Sequence, residues 1–152
     1  MKKKITCIAY IICMILLNCH IAHAENWKWF INGVDSYWYI NTDNVRYGKD
    51  TQGVYMDVCC KAVYNDYGRQ RLANNNNDDR YLQMSYVLFS YRYRIFEDMI
   101  VFACLKSIYY DFSNQIWKSN YTRDDFPTAY LFMPDGSISI AAYNIALEFA
   151  RW

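Results

Sequence analysis

From Val54 to Tyr64 the chain alternates. Val54, Met56, Val58, Cys60 and Ala62 share one parity, and Tyr55, Asp57, Cys59 and Lys61 share the other. A period of two predicts a half-buried strand. Leu82 to Phe96 is a second long extended run. Leu82, Met84, Tyr86 and Leu88 lie on one parity, and Val87, Phe89, Tyr91 and Tyr93 on the other. Both parities are apolar at its start, which predicts a strand central in its sheet or bent by a bulge. Met99 to Tyr110 reads as a third long strand after a turn at Glu97-Asp98. Gln115 to Tyr121 follows the turn Asp111-Phe112-Ser113-Asn114. Upstream, Trp27 to Ile31 and Tyr37 to Ile40 are short strands joined through Asn32-Gly33. Turns this short between extended runs predict an antiparallel meander.

The pattern changes twice. Asn65 to Arg80, around Asn74-Asn75-Asn76-Asn77-Asp78-Asp79, has no apolar period and predicts a mobile surface loop. It lacks the spaced acids and turn glycine of a calcium loop. Near the C-terminus, Pro134-Asp135-Gly136-Ser137 is a stop followed by an N-cap. Ile138, Ala141, Ala142, Ile145, Ala146 and Phe149 then recur at helical spacing. The expected fold is α+β: a small antiparallel sheet of four to six strands with this C-terminal helix packed on one face.

The first 24 residues follow a different logic. Lys2, Lys3 and Lys4 precede an uncharged apolar run from Ile5 to Leu17, and Ala22-His23-Ala24 fits the small-x-small cleavage rule. This predicts a secretory signal peptide over 1–24, cleaved between Ala24 and Glu25, with one domain over 25–152. The apolar run is short of the ~20 residues that span a bilayer, so no transmembrane segment is expected in the mature chain. Leu16-Leu17-Asn18-Cys19 has the shape of a lipid-attachment box, with Asn18 out of place, so lipidation at Cys19 is the minor alternative.

Removing the leader changes the chemistry on offer. The 16 basic residues lose three lysines and stand at 13 against 15 acidic ones. A negative chain of this kind is not expected to bind nucleic acid. Both histidines, His20 and His23, lie in the leader. The remainder therefore has no Ser-His-Asp or Cys-His nucleophile and no His-ligated metal site. Cys59, Cys60 and Cys104 are too few for a four-cysteine zinc site or a disulfide framework. In a meander, Cys104 lies two strands from Cys59 and Cys60, roughly 9.6 Å away, beyond disulfide reach. Cys60 is expected buried and Cys59 more exposed. No catalytic, cofactor-binding or metal-binding residue is assigned.

Three groups of side chains remain. Tyr91-Arg92-Tyr93-Arg94 interleaves base and aromatic and is the candidate binding surface, since Tyr and Arg are enriched at hot spots. The same pattern also describes a sheet face with arginine stems over aromatic rings, the better-supported account of it. Trp27, Trp29, Trp38 and Trp117 are read as core residues rather than a ligand groove. Asp57, Glu97, Asp98, Asp111, Asp124 and Asp125 are read as solvated turn carboxylates rather than an acid/base pair.

The order of several short motifs resembles the surface-adhesin protein E-like family of exported bacterial proteins. They are Trp27-Lys28-Trp29, Tyr37-Trp38-Tyr39-Ile40-Asn41, Cys60-Lys61-Ala62-Val63-Tyr64, Tyr91-Arg92-Tyr93-Arg94-Ile95, Ser107-Ile108-Tyr109-Tyr110-Asp111 and Met133-Pro134-Asp135-Gly136-Ser137. The resemblance implies a small antiparallel sheet with a helix on one face, and for some members adhesion to host matrix proteins. Two departures stand out. Asp135-Gly136-Ser137 replaces the family's frequent PDS, and no cysteine lies in the helix to staple it to a strand. Resemblance and composition together lead to an exported, non-catalytic binding or adhesion module of the bacterial envelope, periplasmic, surface-bound or secreted. Its expected partner is a host or envelope protein or a second copy of itself. The alternatives are a carboxylate-dependent enzyme acting on glycan and a self-associating structural envelope protein.

Overall fold

The computed structural model describes residues 25–150 except Asp98, Phe126 and Asp135. The leader, its cleavage site at Ala24 and Glu25, and Cys19 lie outside the described residues or at their edge.

Three long antiparallel strands form the middle of the sheet: β4 (Gly53–Tyr64), β5 (Met84–Ile95) and β6 (Ile100–Asp111). Two shorter strands lie in line along the outer edge of β4. β3 (Arg46–Asp50) pairs its first half and β2 (Ser36–Asn41) its second. Along β6, β8 (Leu131–Phe132) pairs the first half and β7 (Ile116–Tyr121) the second. β1 (Trp27–Asn32) lies outside β2. The sheet has eight strands rather than four to six, because β3 and β8 lengthen each flank of the meander. β5 is both central and irregular, with register shifts between Met84 and Tyr86 and between Ser90 and Tyr91.

One face of the sheet is covered by helices. α2 (Ile138–Phe149) begins at its N-cap Ser137, whose hydroxyl accepts from the Ile140 N–H. Its buried Ala142, Tyr143 and Ala146 lie in one core with Trp38, Ile40, Met56 and Cys60. Ile138, Ile145 and Phe149 are half-buried against that core. Small alanines bring the helix axis close to the sheet, and Tyr93 fixes its first turn by donating its hydroxyl to the Ser139 carbonyl (3.0 Å).

The Asn-rich stretch is not a loop. It forms helix α1 (Asp66–Asn76), followed by a 3-10 turn at Asp79–Gln83. Caps replace the missing apolar period. The Asn65 side chain accepts from the Gly68 N–H, and Asn77 ends the helix in the left-handed region at φ 49°. Tertiary contacts hold it down. Ala73, Tyr81, Met84 and Val87 form a second buried cluster, with Tyr81 edge-on to Trp117 (5.1 Å between centroids). Gly68 sits against the backbone of Asp35 in the β1–β2 turn, where a Cβ would lie 2.2 Å from the Asp35 carbonyl oxygen.

Candidate functional site

Paired residues of neighbouring antiparallel strands share a face, so the register sorts side chains onto the sheet's two sides. Met56, Val58, Cys60 and Ala62 point to the helices, with Tyr91 and Tyr93 paired opposite Val58 and Met56. Tyr55, Asp57, Cys59 and Lys61 point the other way, with Arg92 and Arg94 opposite Asp57 and Tyr55. The Tyr91–Arg94 stretch is therefore split between two faces. Tyr93 and Arg94 are buried, and Tyr91 and Arg92 are half-buried.

At one end of this second face, the two guanidinium groups are clasped. Arg92 takes Asp57 in a bidentate pair, with both contacts at 2.7 Å, and reaches Asp124 at 2.7 Å through its third nitrogen. Arg94, only 1% exposed, takes Asp50 in a bidentate pair at 3.0 Å and meets Asp124 at 3.2 Å. Tyr130 donates its hydroxyl to Asp124, and the Tyr55 ring lies 3.9 Å from the Arg92 guanidinium carbon. The chain after β7 supplies Asp124 and Tyr130, so these ion pairs draw it back over Val101 and Ala103. Asp50 is held below the usual carboxylate range, first by its Arg94 hydrogen bond. Burial pushes Asp124 up, but hydrogen bonds from Tyr130 and Arg92 outweigh it and leave its pKa lowered. That is opposite to the shift a general acid uses. Two carboxylates do converge here, Asp57 and Asp124, but on one guanidinium between them. Their chemistry is that of a clasp. Asp111 caps a turn, accepting from the Ser113 and Gln115 N–H groups. Among the described residues, no group of three or more His, Cys, Asp or Glu is placed to hold a metal.

The other end of the second face carries neither helix nor loop among the described residues. One register row crosses it through Trp29, Tyr39, Lys61, Leu88 and Ile108. The next runs through Tyr37, Val63, Tyr86 and Tyr110. Trp29 is 52% exposed and Tyr37 43%. Tyr86 and Tyr110 stack at 4.6 Å. At the centre, the Lys61 ammonium stands 4.4 Å from the Trp27 ring centroid, with Tyr39 at 5.5 Å and Tyr86 at 5.9 Å. It donates to no acceptor among the described residues. Burial against the rings lowers its pKa, with Glu25 pulling the other way. A depression of about 330 Å³ adjoins this platform toward the clasp, with Arg46, Asp57, Cys59 and Ser90 in its lining.

The tryptophans divide accordingly. Trp38 and Trp117 pack in the two helix-side clusters, as a core reading requires. Trp27 and Trp29 stand on the open face, which the core reading misses. The signal was present in the parity of β4, where Lys61 sits among alternating positions. Parity separates the faces without saying which one is left uncovered. Cys59, Cys60 and Cys104 are free thiols, with β5 between their strands.

No family model, curated protein or solved structure matches this chain.

Proposed function

We propose that this chain is an exported, non-catalytic binding module of the bacterial cell envelope, similar in kind to the surface-adhesin protein E-like proteins, and that it binds through the open aromatic face of its sheet. The observation that carries the reading is the uncovered platform around Lys61. Trp29 and Tyr37 stand in water there, on one continuous surface with the half-buried Trp27, Tyr39, Tyr86 and Tyr110. Exposed apolar patches of that kind mark interaction sites. The Lys-rich start, the short apolar run and Ala22-His23-Ala24 support export. The absence of histidine from residues 25–152 supports binding over catalysis.

The test is solid-phase binding of the purified protein to envelope extracts and to host matrix preparations, run beside the double variant Tyr39→Ala/Tyr86→Ala. Capture that disappears in the variant, with its thermal melt intact, supports the reading. Capture that is unchanged in the variant, or absent in both, overturns it.

A further inference from the structure

We infer that the platform around Lys61 takes a carboxylated polysaccharide, one bearing uronic or sialic acid units, laid across the strands. The inference rests on the open face being the binding surface. Three observations lead to it.

The first is charge. The register rows of the open face carry Lys61 and Lys106 but no carboxylate, in a chain whose residues after the leader are net negative. Glu25 is the acid whose charge reaches Lys61, and its carboxylate is taken by the Trp27 indole N–H at 2.8 Å. Lys61 therefore presents three N–H donors over the rings, without a protein acceptor among the described residues. A carboxylate in the plane of a sugar ring lies at the height of that ammonium while the sugar stacks.

The second is shape. The platform consists of ring faces that run from the edge strand β1 across β2, β4 and β5 to β6. A peptide strand added at the β1 edge would lie beside these rings rather than across them, and the face offers no groove for a helix, so neither usual mode of peptide capture covers the platform. A pyranose presents a flat face of C–H groups, and the negative face of an aromatic ring attracts it.

The third is charge density. Lys61 and Lys106 stand two strands and one register step apart, roughly 12 Å by strand spacing and rise. Lys106 lies over Tyr121 at 5.2 Å, and no arginine stands in the rows of the open half. Two separated ammonium groups meet only some of the carboxylates on such a chain, and the stacked sugar rings supply the rest of the contact. A polysulfate or a single-stranded nucleic acid, whose binding is carried mainly by its backbone charges, calls for a continuous basic track.

Affinity electrophoresis of the purified protein in gels containing polygalacturonate, dextran, heparin or a fifteen-residue oligothymidylate tests the inference. Trp27 and Trp29 fluorescence provides a second readout on the same face. Retardation by polygalacturonate and not by dextran is expected, with at least tenfold weaker binding in Lys61→Gln and in Tyr39→Ala. Lys61→Gln keeps most of the stem over the rings, and a thermal melt equal to wild type shows that it is folded. Four outcomes overturn the inference: no retardation by polygalacturonate, stronger retardation by heparin or the oligonucleotide, wild-type affinity in Lys61→Gln, or a concentration-dependent mass that Lys61→Glu abolishes, since a second copy would then occupy the face. If polygalacturonate fails while Tyr39→Ala/Tyr86→Ala still loses capture of a partner, the glycan is wrong and the binding-module reading stands. If that double variant keeps its partner, both fall.

Discussion

The ring of Tyr55 fills the space that a side chain at position 48 would need. A Cβ built on Gly48 falls 2.3 Å from Tyr55 Cζ, and the two residues are cross-strand partners in the β3–β4 hairpin. Glycine there lets the ring lie flat across the neighbouring strand and present its other side to Arg92. The stack Gly48–Tyr55–Arg92 supports the clasp from beneath. Gly48→Ala should cost about 1–3 kcal/mol by overpacking. In a Tyr55→Ala background the same change should cost almost nothing, because the obstacle is gone. Urea denaturation of the four proteins in that cycle measures the coupling, and additive effects would show that the ring does not rely on the missing Cβ.

Gly68 presents a harder obstacle, because its neighbour is the Asp35 carbonyl rather than a side chain that can swing away. Gly68→Ala gains helix propensity of about 1 kcal/mol. The clash should outweigh that gain and lift α1 from the β1–β2 turn. A net loss of stability is expected, with faster amide exchange in α1 than in β5. A variant at least as stable as wild type would mean that α1 is not seated on this turn.

These two glycines also show why the sequence is readable in places and opaque in others. β4, β5, β6 and α2 are long, and their apolar positions repeat at two or about 3.6, so a period identifies them. β3 is Arg46-Tyr47-Gly48-Lys49-Asp50, whose single large apolar residue gives no period, and β8 has two residues. Both exist because a neighbouring long strand offers them a partner. α1 lacks an apolar stripe and depends on Asn65, Asn77 and the contact at Gly68. Its Asn65-Asp66 start was the available local signal, and the asparagine run masked it. The arginines of the Tyr91–Arg94 motif were legible as sheet-face residues. Their partners Asp50 and Asp124 were not, because each comes from a turn or connection more than 25 residues away in sequence.

The clasp sets an acid limit on stability. Asp50 and Asp124 have lowered pKa values in the folded chain, relative to the usual 3.8. A carboxylate depressed on folding contributes stability that is fully present above its unfolded pKa and is lost as pH falls through its folded pKa. The loss from these two groups should therefore appear below about pH 4. Asp124→Asn leaves Asp50 as the carboxylate on Arg94 and should cost about 3 kcal/mol at pH 7, the lower end for a broken buried pair. The gap between variant and wild type should narrow toward pH 2. A gap that stays constant from pH 7 to pH 2 would show that the Asp124 charge is not what holds the segment.

At the alkaline end the thiols carry the signal. Desolvation, and after it the Glu25 charge, raises Cys59 to about 11, and burial pushes Cys60 well above the usual thiol value. Both are neutral at pH 7, and the unfolded chain ionises first as pH rises, so their contribution is present below the unfolded thiol pKa and lost above it. Iodoacetamide at pH 8 should modify Cys59 slowly and leave Cys60 untouched. The unfolded, unreduced protein should yield three free thiols. One free thiol would mean a disulfide, either across β5, incompatible with this strand order, or between the adjacent Cys59 and Cys60, which point to opposite faces. Cys59→Ser should flatten the fall in stability between about pH 9 and 11.

The joint between sheet and helix is concentrated at Tyr93. Its ring is 0% exposed, lies 5.3 Å from Tyr143 of α2 and 6.2 Å from Phe102 of β6, and its hydroxyl donates to the Ser139 carbonyl at 3.0 Å. Packing and the hydrogen bond can be separated by substitution. Tyr93→Phe keeps the ring and removes the hydroxyl, and should cost about 1 kcal/mol, the net value of one buried hydrogen bond. Tyr93→Ala removes the ring as well and should cost about 3–5 kcal/mol, since the cavity opens between two layers that cannot both collapse into it. If α2 is held mainly by that ring, Tyr93→Ala should also release the helix before the sheet melts. Amide exchange would then accelerate across Ile140–Phe149 while β5 and β6 stay protected. Equal acceleration in helix and strands would mean that the two layers unfold as one unit, with Tyr93 contributing to global stability rather than to a separate joint.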